Sequence, residues 1–154
     1  MVEIREATTE QIPLVRQIVL DSFEEYRGVL DPPSGVHSET LEETVEIIGR
    51  GGALIAFVSD EPVGTARYER KPDHLYCGRI GVLPAHRGLG IGRALLSAIE
   101  HVAKDLGFTE VRLATREILE RNMRLYQGCG YRVTFRGKHL QGNGIVIEFT
   151  KSIE

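Results

Sequence analysis

From Arg79 to Leu96 the chain reads Arg-Ile-Gly-Val-Leu-Pro-Ala-His-Arg-Gly-Leu-Gly-Ile-Gly-Arg-Ala-Leu-Leu, with Gly88, Gly90 and Gly92 alternating inside it. Without Cβ atoms, these three positions let several backbone N–H groups approach one ligand closely. Behind them Ile91, Ala94, Leu95, Ala98, Ile99, Val102 and Leu106 recur at helical spacing, and Gly107 ends the run. The glycines therefore stand where a strand hands over to a helix. The first N–H groups of a helix have no internal partner, and the helix dipole adds positive potential there. Such a junction cradles an anion and suits a pyrophosphate. Arg87 and Arg93 flank it and can add charge-assisted hydrogen bonds. The alternative reading is a tight glycine turn under a close-packed helix. Other phosphate motifs fit worse: there is no Gly-Lys-Ser/Thr ending, and Gly88-x-Gly90 lacks the remaining glycine of the dinucleotide fingerprint.

The elements that must position this junction follow from periodicity. Thr8 with Gln11 forms a capping box, and Ile12, Val15, Ile18, Val19 and Phe23 give a first helix running to about Tyr26. Pro32-Pro33 makes Gly28 to Gly35 a loop. Thr40 with Glu43 caps a short helix whose apolar face is Leu41, Val45 and Ile48, and glycines stop it. Strands are expected over Ala53–Val58, Val63–Glu69 and Leu75–Leu83, with turns at Asp60-Glu61-Pro62 and Lys71-Pro72-Asp73. After the long helix come a strand at Glu110–Thr115 and a helix at Leu119–Gln127. A last hairpin joins Tyr131–Arg136 to Ile145–Thr150, with Asn143-Gly144 favouring a tight turn. The order β-α-α-β-β-β-α-β-α-β-β describes a single α/β domain over residues 1–154 with a mixed sheet.

Bulk properties narrow the chemistry. The 154 residues carry a net charge of −3, so no global basic field points to nucleic acid as a partner. There is no apolar stretch of bilayer-spanning length, and the N-terminal residues lack the pattern of a signal peptide, so a cytoplasmic protein is expected. Two cysteines, Cys77 and Cys129, are too few for a disulfide framework. His37, His74, His86, His101 and His139 are scattered without metal-ligand spacing, so no metal is expected. Ser97 lacks the Gly-x-Ser-x-Gly context of a hydrolase nucleophile.

Arg87-Gly88-Leu89-Gly90-Ile91-Gly92 matches Arg/Gln-x-x-Gly-x-Gly/Ala and resembles the acyl-CoA pyrophosphate motif of the GNAT N-acetyltransferase superfamily. Val82-Leu83-Pro84 before it and Ala94-Leu95-Leu96 after it extend the likeness. Leu125-Tyr126-Gln127-Gly128-Cys129-Gly130-Tyr131 is similar to the family's Leu-Tyr-x-x-x-Gly-Phe/Tyr segment, and the element order covers nearly the whole chain. The resemblance implies an acetyl-CoA-dependent transferase acting on an amine, with Arg87 to Gly92 holding the pyrophosphate. It places Ile80-Gly81-Val82 on the bulged strand that binds the pantetheine arm, the Val82 amide polarising the thioester carbonyl. Tyr126 matches the general acid that protonates the departing thiolate. Asn122, one helical turn before Tyr126, is placed to contact the cofactor or to be a solvated helix residue; family members often carry this asparagine where Leu119 stands here.

The general base stays open. The family's frequent glutamate aligns with Ala114, and Glu117, His74, Glu24 and Glu25 are the remaining candidates. The acceptor, a small-molecule or peptide amine, would meet Arg27–Ser38 and Arg136–Asn143, where Asp31 and the nearby Glu24-Glu25 would attract a cation. Dimers are common in the family, though this sequence carries no signal for one. The competing function is a non-catalytic acyl-CoA-binding regulatory module on the same fold.

Overall fold

The computed structural model describes residues 1–154. Strand β1 (Val2–Glu6) leads into a 3-10 turn at Thr9–Gln11 and helix α1 (Ile12–Phe23). The Gln11 side chain accepts a hydrogen bond from the Thr8 amide at 2.9 Å, as the capping box requires. After Phe23 the chain tightens into a 3-10 turn over Glu24–Tyr26. Helix α2 (Leu41–Ile48) opens on the second box: Thr40 N donates to Glu43 at 2.9 Å and Glu43 N to Thr40 Oγ1 at 3.1 Å. Its buried face differs from the expected one. Ile48 and Thr44 are buried, while Leu41 and Val45 are exposed. Thr44 is drawn inward because its hydroxyl donates to the buried Glu39 carboxylate at 2.7 Å.

Strands β2 (Gly51–Val58) and β3 (Glu61–Arg70) form a hairpin whose turn is Ser59-Asp60, both at left-handed φ (50° and 65°). The expected turn lay one residue later. Glu61 and Pro62 instead belong to the strand, and Pro62 is accommodated where the β2–β3 register shifts. Then follow β4 (Leu75–Val82), α3 (Ile91–Asp105), β5 (Glu110–Arg116), α4 (Glu120–Gly128), β6 (Arg132–Lys138) and β7 (Ile145–Ser152). The strands make one seven-stranded mixed sheet in the order β1-β2-β3-β4-β5-β7-β6.

Alternation along β2 divides the core between the two faces of the sheet. Leu54 and Ala56 join the cluster built on Leu95, Leu96, Ile99 and Ala103 of α3. Ala53, Ile55 and Phe57 join Ile12, Val15 and Ile18 of α1 and Ile48 of α2. The β6–β7 connection is wider than the tight turn expected at Asn143-Gly144. His139 N donates to Gly144 O at 2.8 Å, enclosing a loop, and the loop is tied to Asp31, whose carbonyl accepts from Gly144 N at 2.8 Å. No helix is long and apolar enough to cross a membrane.

Candidate active site

Strands β4 and β5 are the only parallel neighbours, and they pair only through Leu75 with Val111 and Tyr76 with Arg112. Beyond that point they part. The gap opens a cleft of about 310 Å³ between the end of β4, the start of α3 and helix α4. Of the expected site residues, Ile80, Gly81, Val82, Arg87, Gly88, Gly90, Ile91, Gly92, Arg93, Asn122 and Tyr126 line it. Leu89 does not, and its side chain is 63% exposed.

At the mouth, Gly88 and Gly90 have φ of +79° and +81°, and Gly90 caps α3. That backbone region favours glycine. The first amide with a helical partner is Ala94, which donates to Gly90 O at 3.0 Å. The amides of Ile91, Gly92 and Arg93 before it are therefore unspent within the helix. Gly92 has a second reason to be glycine, since a Cβ there would sit 3.0 Å from Leu125 on α4. Arg93 and Arg121 line the cleft, and no carboxylate does. Three free amides, two bare left-handed positions and two cations form a donor set that fits a diphosphate.

Arg87 lies differently from a flanking cation. Its guanidinium donates to Val82 O at 3.1 Å, to Ser22 O at 2.8 Å and to the Glu25 carboxylate, tying α1 to the end of β4. Any share it takes in holding a phosphate falls to its backbone and its net field. Ser22, Phe23, Tyr26, His86, Arg121 and Leu125 also line the cleft. Leu125 and His86 lie inside the quoted motifs, but these gave no signal for Ser22, Phe23 and Tyr26, because α1 and the turn after it reach the site through tertiary packing.

The bulge in β4 is two residues wide. Thr65 pairs with Gly81 and Arg67 with Gly78, so Arg79 and Ile80 together face Ala66. Arg79 takes a φ of +49° there. Gly81, a glycine inside a strand that suits a bulge or the close approach of a ligand, lies just beyond the bulge, and what approaches it is the protein itself: a Cβ would fall 2.1 Å from Ser22 Oγ. Past the bulge, Leu83 N donates to Val63 O at 2.8 Å. Amides alternate along a strand, so the Val82 amide turns away from β3 toward the parted side.

Tyr126 closes the inner end. Its ring packs edge-on against Phe149 at 5.5 Å and Tyr131 at 6.5 Å, and the residue is only 5% exposed. Its hydroxyl makes no hydrogen bond within the protein, although the ring lines the cleft. Burial pushes the phenol above its ordinary value, and the charges that Cys77 and Tyr76 would carry add to this. Asn122 Nδ2 donates to Thr115 Oγ1 at 3.3 Å. Cys77 is buried, and burial raises its thiol to about 12, with the Glu100 charge adding to the effect. Neither cysteine is in a disulfide.

A second cavity of about 280 Å³ meets the first at Phe23, Ile80, Asn122 and Tyr126. Leu30, Ser34, Gly35 and His139 bring the two expected acceptor segments to its wall, beside Arg79, Arg116 and Val146. The expected acidic attraction is absent from that wall. Glu24 pairs with Arg27 at 3.0 Å, and Glu25 pairs with Arg87 and with Arg121 at 3.7 Å. The Asp31 carboxylate accepts from Asn143 N at 3.4 Å. The other base candidates stand apart too. Glu117 is paired to Arg136 at 2.6 Å, and His74 contacts Asp73 at 2.7 Å at the opposite end of β4. Sequence reasoning missed Glu148, which β7 places directly across from Ala114, a residue of this wall.

The chain belongs to the acetyltransferase (GNAT) family, whose model matches residues 14–131. N-acetyltransferase family 8 member 2 of Rattus norvegicus is 36% identical over 84 residues, which is 54% of this chain and 36% of that protein. The matched stretch is thus little more than a third of the relative's length. In fold, the chain is similar to the ribosomal-protein-S18-alanine N-acetyltransferase from Escherichia coli, with a TM-score of 0.80 at 18% identity over 100% of this chain and 95% of that one. It is also similar to the PaiA N-acetyltransferase from Thermoplasma acidophilum, solved in complex with coenzyme A: TM-score 0.78, 20% identity, 96% and 98% coverage.

Proposed function

We propose that this chain transfers an acetyl group from acetyl-CoA to an amine, both held together in the parted sheet. The observation that carries this reading is the meeting of two cavities at Tyr126, whose hydroxyl has no partner in the protein. Bound acetyl-CoA supplies a thioester whose carbonyl carbon takes the amine nitrogen as the C–S bond breaks. The α3 amides and Arg93 hold the diphosphate, and the open edge of β4 holds the arm. The Val82 amide donates to the carbonyl oxygen as charge develops there. Tyr126 donates its hydroxyl proton toward the departing sulfur.

An ammonium must lose a proton before its nitrogen can attack. Glu148 is the carboxylate we assign to this, acting through water, because it occupies the strand position paired with Ala114 on the acceptor side. Thiol release from acetyl-CoA, dependent on an added amine, tests the transfer. Glu148→Gln should lower kcat/KM by about 10²-fold near neutral pH. The loss should shrink at higher pH, where solution already supplies free amine. A loss independent of pH, or none, would remove Glu148 from this role.

A further inference from the structure

The acceptor cavity carries cations without matching acids. Arg79 and Arg116 line it, and its wall contains no aspartate or glutamate. Arg116 donates only to the carbonyls of Pro32 at 2.8 Å and Pro33 at 3.5 Å, and it has no carboxylate partner. Arg79 reaches the Glu39 carboxylate through Nη2 at 3.3 Å. That carboxylate is already engaged at both oxygens by Arg67, at 2.7 and 2.9 Å. One negative charge thus serves two guanidiniums, and Asp31 acts on Arg116 only through its field, so the cations of the wall outnumber the carboxylates they contact. Burial pulls both Arg79 and Arg116 below the ordinary guanidinium value, as expected for desolvated cations.

Two further features point the same way. The bulge holds Arg79 at φ +49°, a conformation that costs a non-glycine residue on the order of 1–2 kcal/mol and fixes where its side chain leaves the strand. His139 Nδ1 accepts the Gln141 amide at 3.1 Å, so the ring's hydrogen sits on Nε2 and makes it a donor, not a base. Phe23, Leu30, Leu119 and Val146 give the wall an apolar side, and Ser34 and Thr115 interrupt it. A volume near 280 Å³ lies at the lower end of small-ligand pockets.

We propose that the acceptor is a small amino-carboxylate, an amino acid with an apolar side chain, whose carboxylate is held by Arg116 and Arg79 while its amine faces Tyr126. This rests on the transferase reading above. A guanidinium meets a carboxylate through paired hydrogen bonds, and the match is strongest where water is excluded. A peptide N-terminus carries an uncharged carbonyl at the same place and would leave Arg116 with no carboxylate and Arg79 with only its share of Glu39.

The test compares leucine, phenylalanine and methionine with their primary amides and their decarboxylated amines. The amide's amine is the less basic and is free at lower pH, so a preference for the amino acid runs against intrinsic reactivity. The free carboxylate should raise kcat/KM by about 10²-fold or more over the amide. Arg116→Gln should shrink that ratio at least tenfold, and Arg116→Lys should restore part of it. Calorimetry on protein saturated with CoA gives a readout without turnover: N-acetyl-leucine should bind at least tenfold tighter than N-acetyl-leucinamide, and Arg116→Gln should erase the difference. Amides or plain amines used as well as the amino acids would overturn this inference and leave the transferase standing. Thiol release with no amine at all would strike the transferase reading, and the calorimetric comparison would still decide the carboxylate: equal binding overturns the assignment.

Discussion

Tyr126→Phe should lower kcat by about 10²- to 10⁴-fold while leaving the protein as stable as before. The two halves of this expectation have separate causes. The ring fills core space against Phe149 and Tyr131, and phenylalanine keeps that packing. The hydroxyl bonds to nothing in the protein, so its removal strands no buried partner. What is lost is the hydroxyl donor standing where the two cavities meet. Because burial raises the phenol, it stays protonated across the range in which amines are nucleophilic, and the wild type should show no alkaline limb from this group below about pH 10. Single-turnover rates with acetyl-CoA and an amine, beside a melting curve, check both halves. An unchanged rate would take Tyr126 out of the acid role, and a fallen melting temperature would recast it as structural.

The largest stability effect is expected at Glu39. Its carboxylate is 13% exposed, accepts from Arg67 and Thr44, and lies near Arg79. Burial alone would raise this acid, but the bonds from Arg67 and Thr44, with the charges of Arg67 and Arg79, bring it down to about 2 from 4.5. The folded value lies below the unfolded one, so the stabilisation is complete above about pH 4.5 and is lost as pH falls toward 2. A shift of this size corresponds to roughly 3 kcal/mol. Glu39→Gln leaves two guanidiniums enclosed without their counter-charge and should cost about 3–5 kcal/mol at neutral pH. Denaturant unfolding should show the gap between variant and wild type closing near pH 2. A variant within 1 kcal/mol of wild type at pH 7 would mean that the Arg67 contact contributes little. The same substitution should loosen Arg79 and with it the acceptor wall.

The features that could be read from sequence are local ones. Both capping boxes and the glycine cradle depend on residues within a few turns of one another and formed where expected. The face of α3 formed around Ile91, Leu95 and Ile99 but turned toward Leu96 and Ala103 and left Leu106 exposed. The features that could not be read depend on register between distant strands or on tertiary contacts. The bulge fell on Arg79 and Ile80 because of how β4 pairs with β3, while Gly81 answers to Ser22 on α1. Glu148 comes opposite Ala114, a residue of the acceptor wall, only through the pairing of β5 with β7, which no motif near either residue announces. Ser59-Asp60 turned left-handed without glycine, so the turn was expected one residue too late. Arg87 sat inside the matched motif, yet its guanidinium went to Ser22, Glu25 and Val82. A motif fixes where its backbone lies and leaves its long side chains to their neighbours.

Calorimetric titration of acetyl-CoA into the wild type and into Gly90→Glu tests the account most directly. Gly90 caps α3 with no atom within 4 Å of a Cβ built there, so the added side chain has room beside the protein while its bulk and charge occupy the cradle. The wild type should bind with micromolar affinity and the variant not at all, with a retained melting transition showing that the variant is folded. No binding by the wild type, or equal binding by a folded variant, would contradict it.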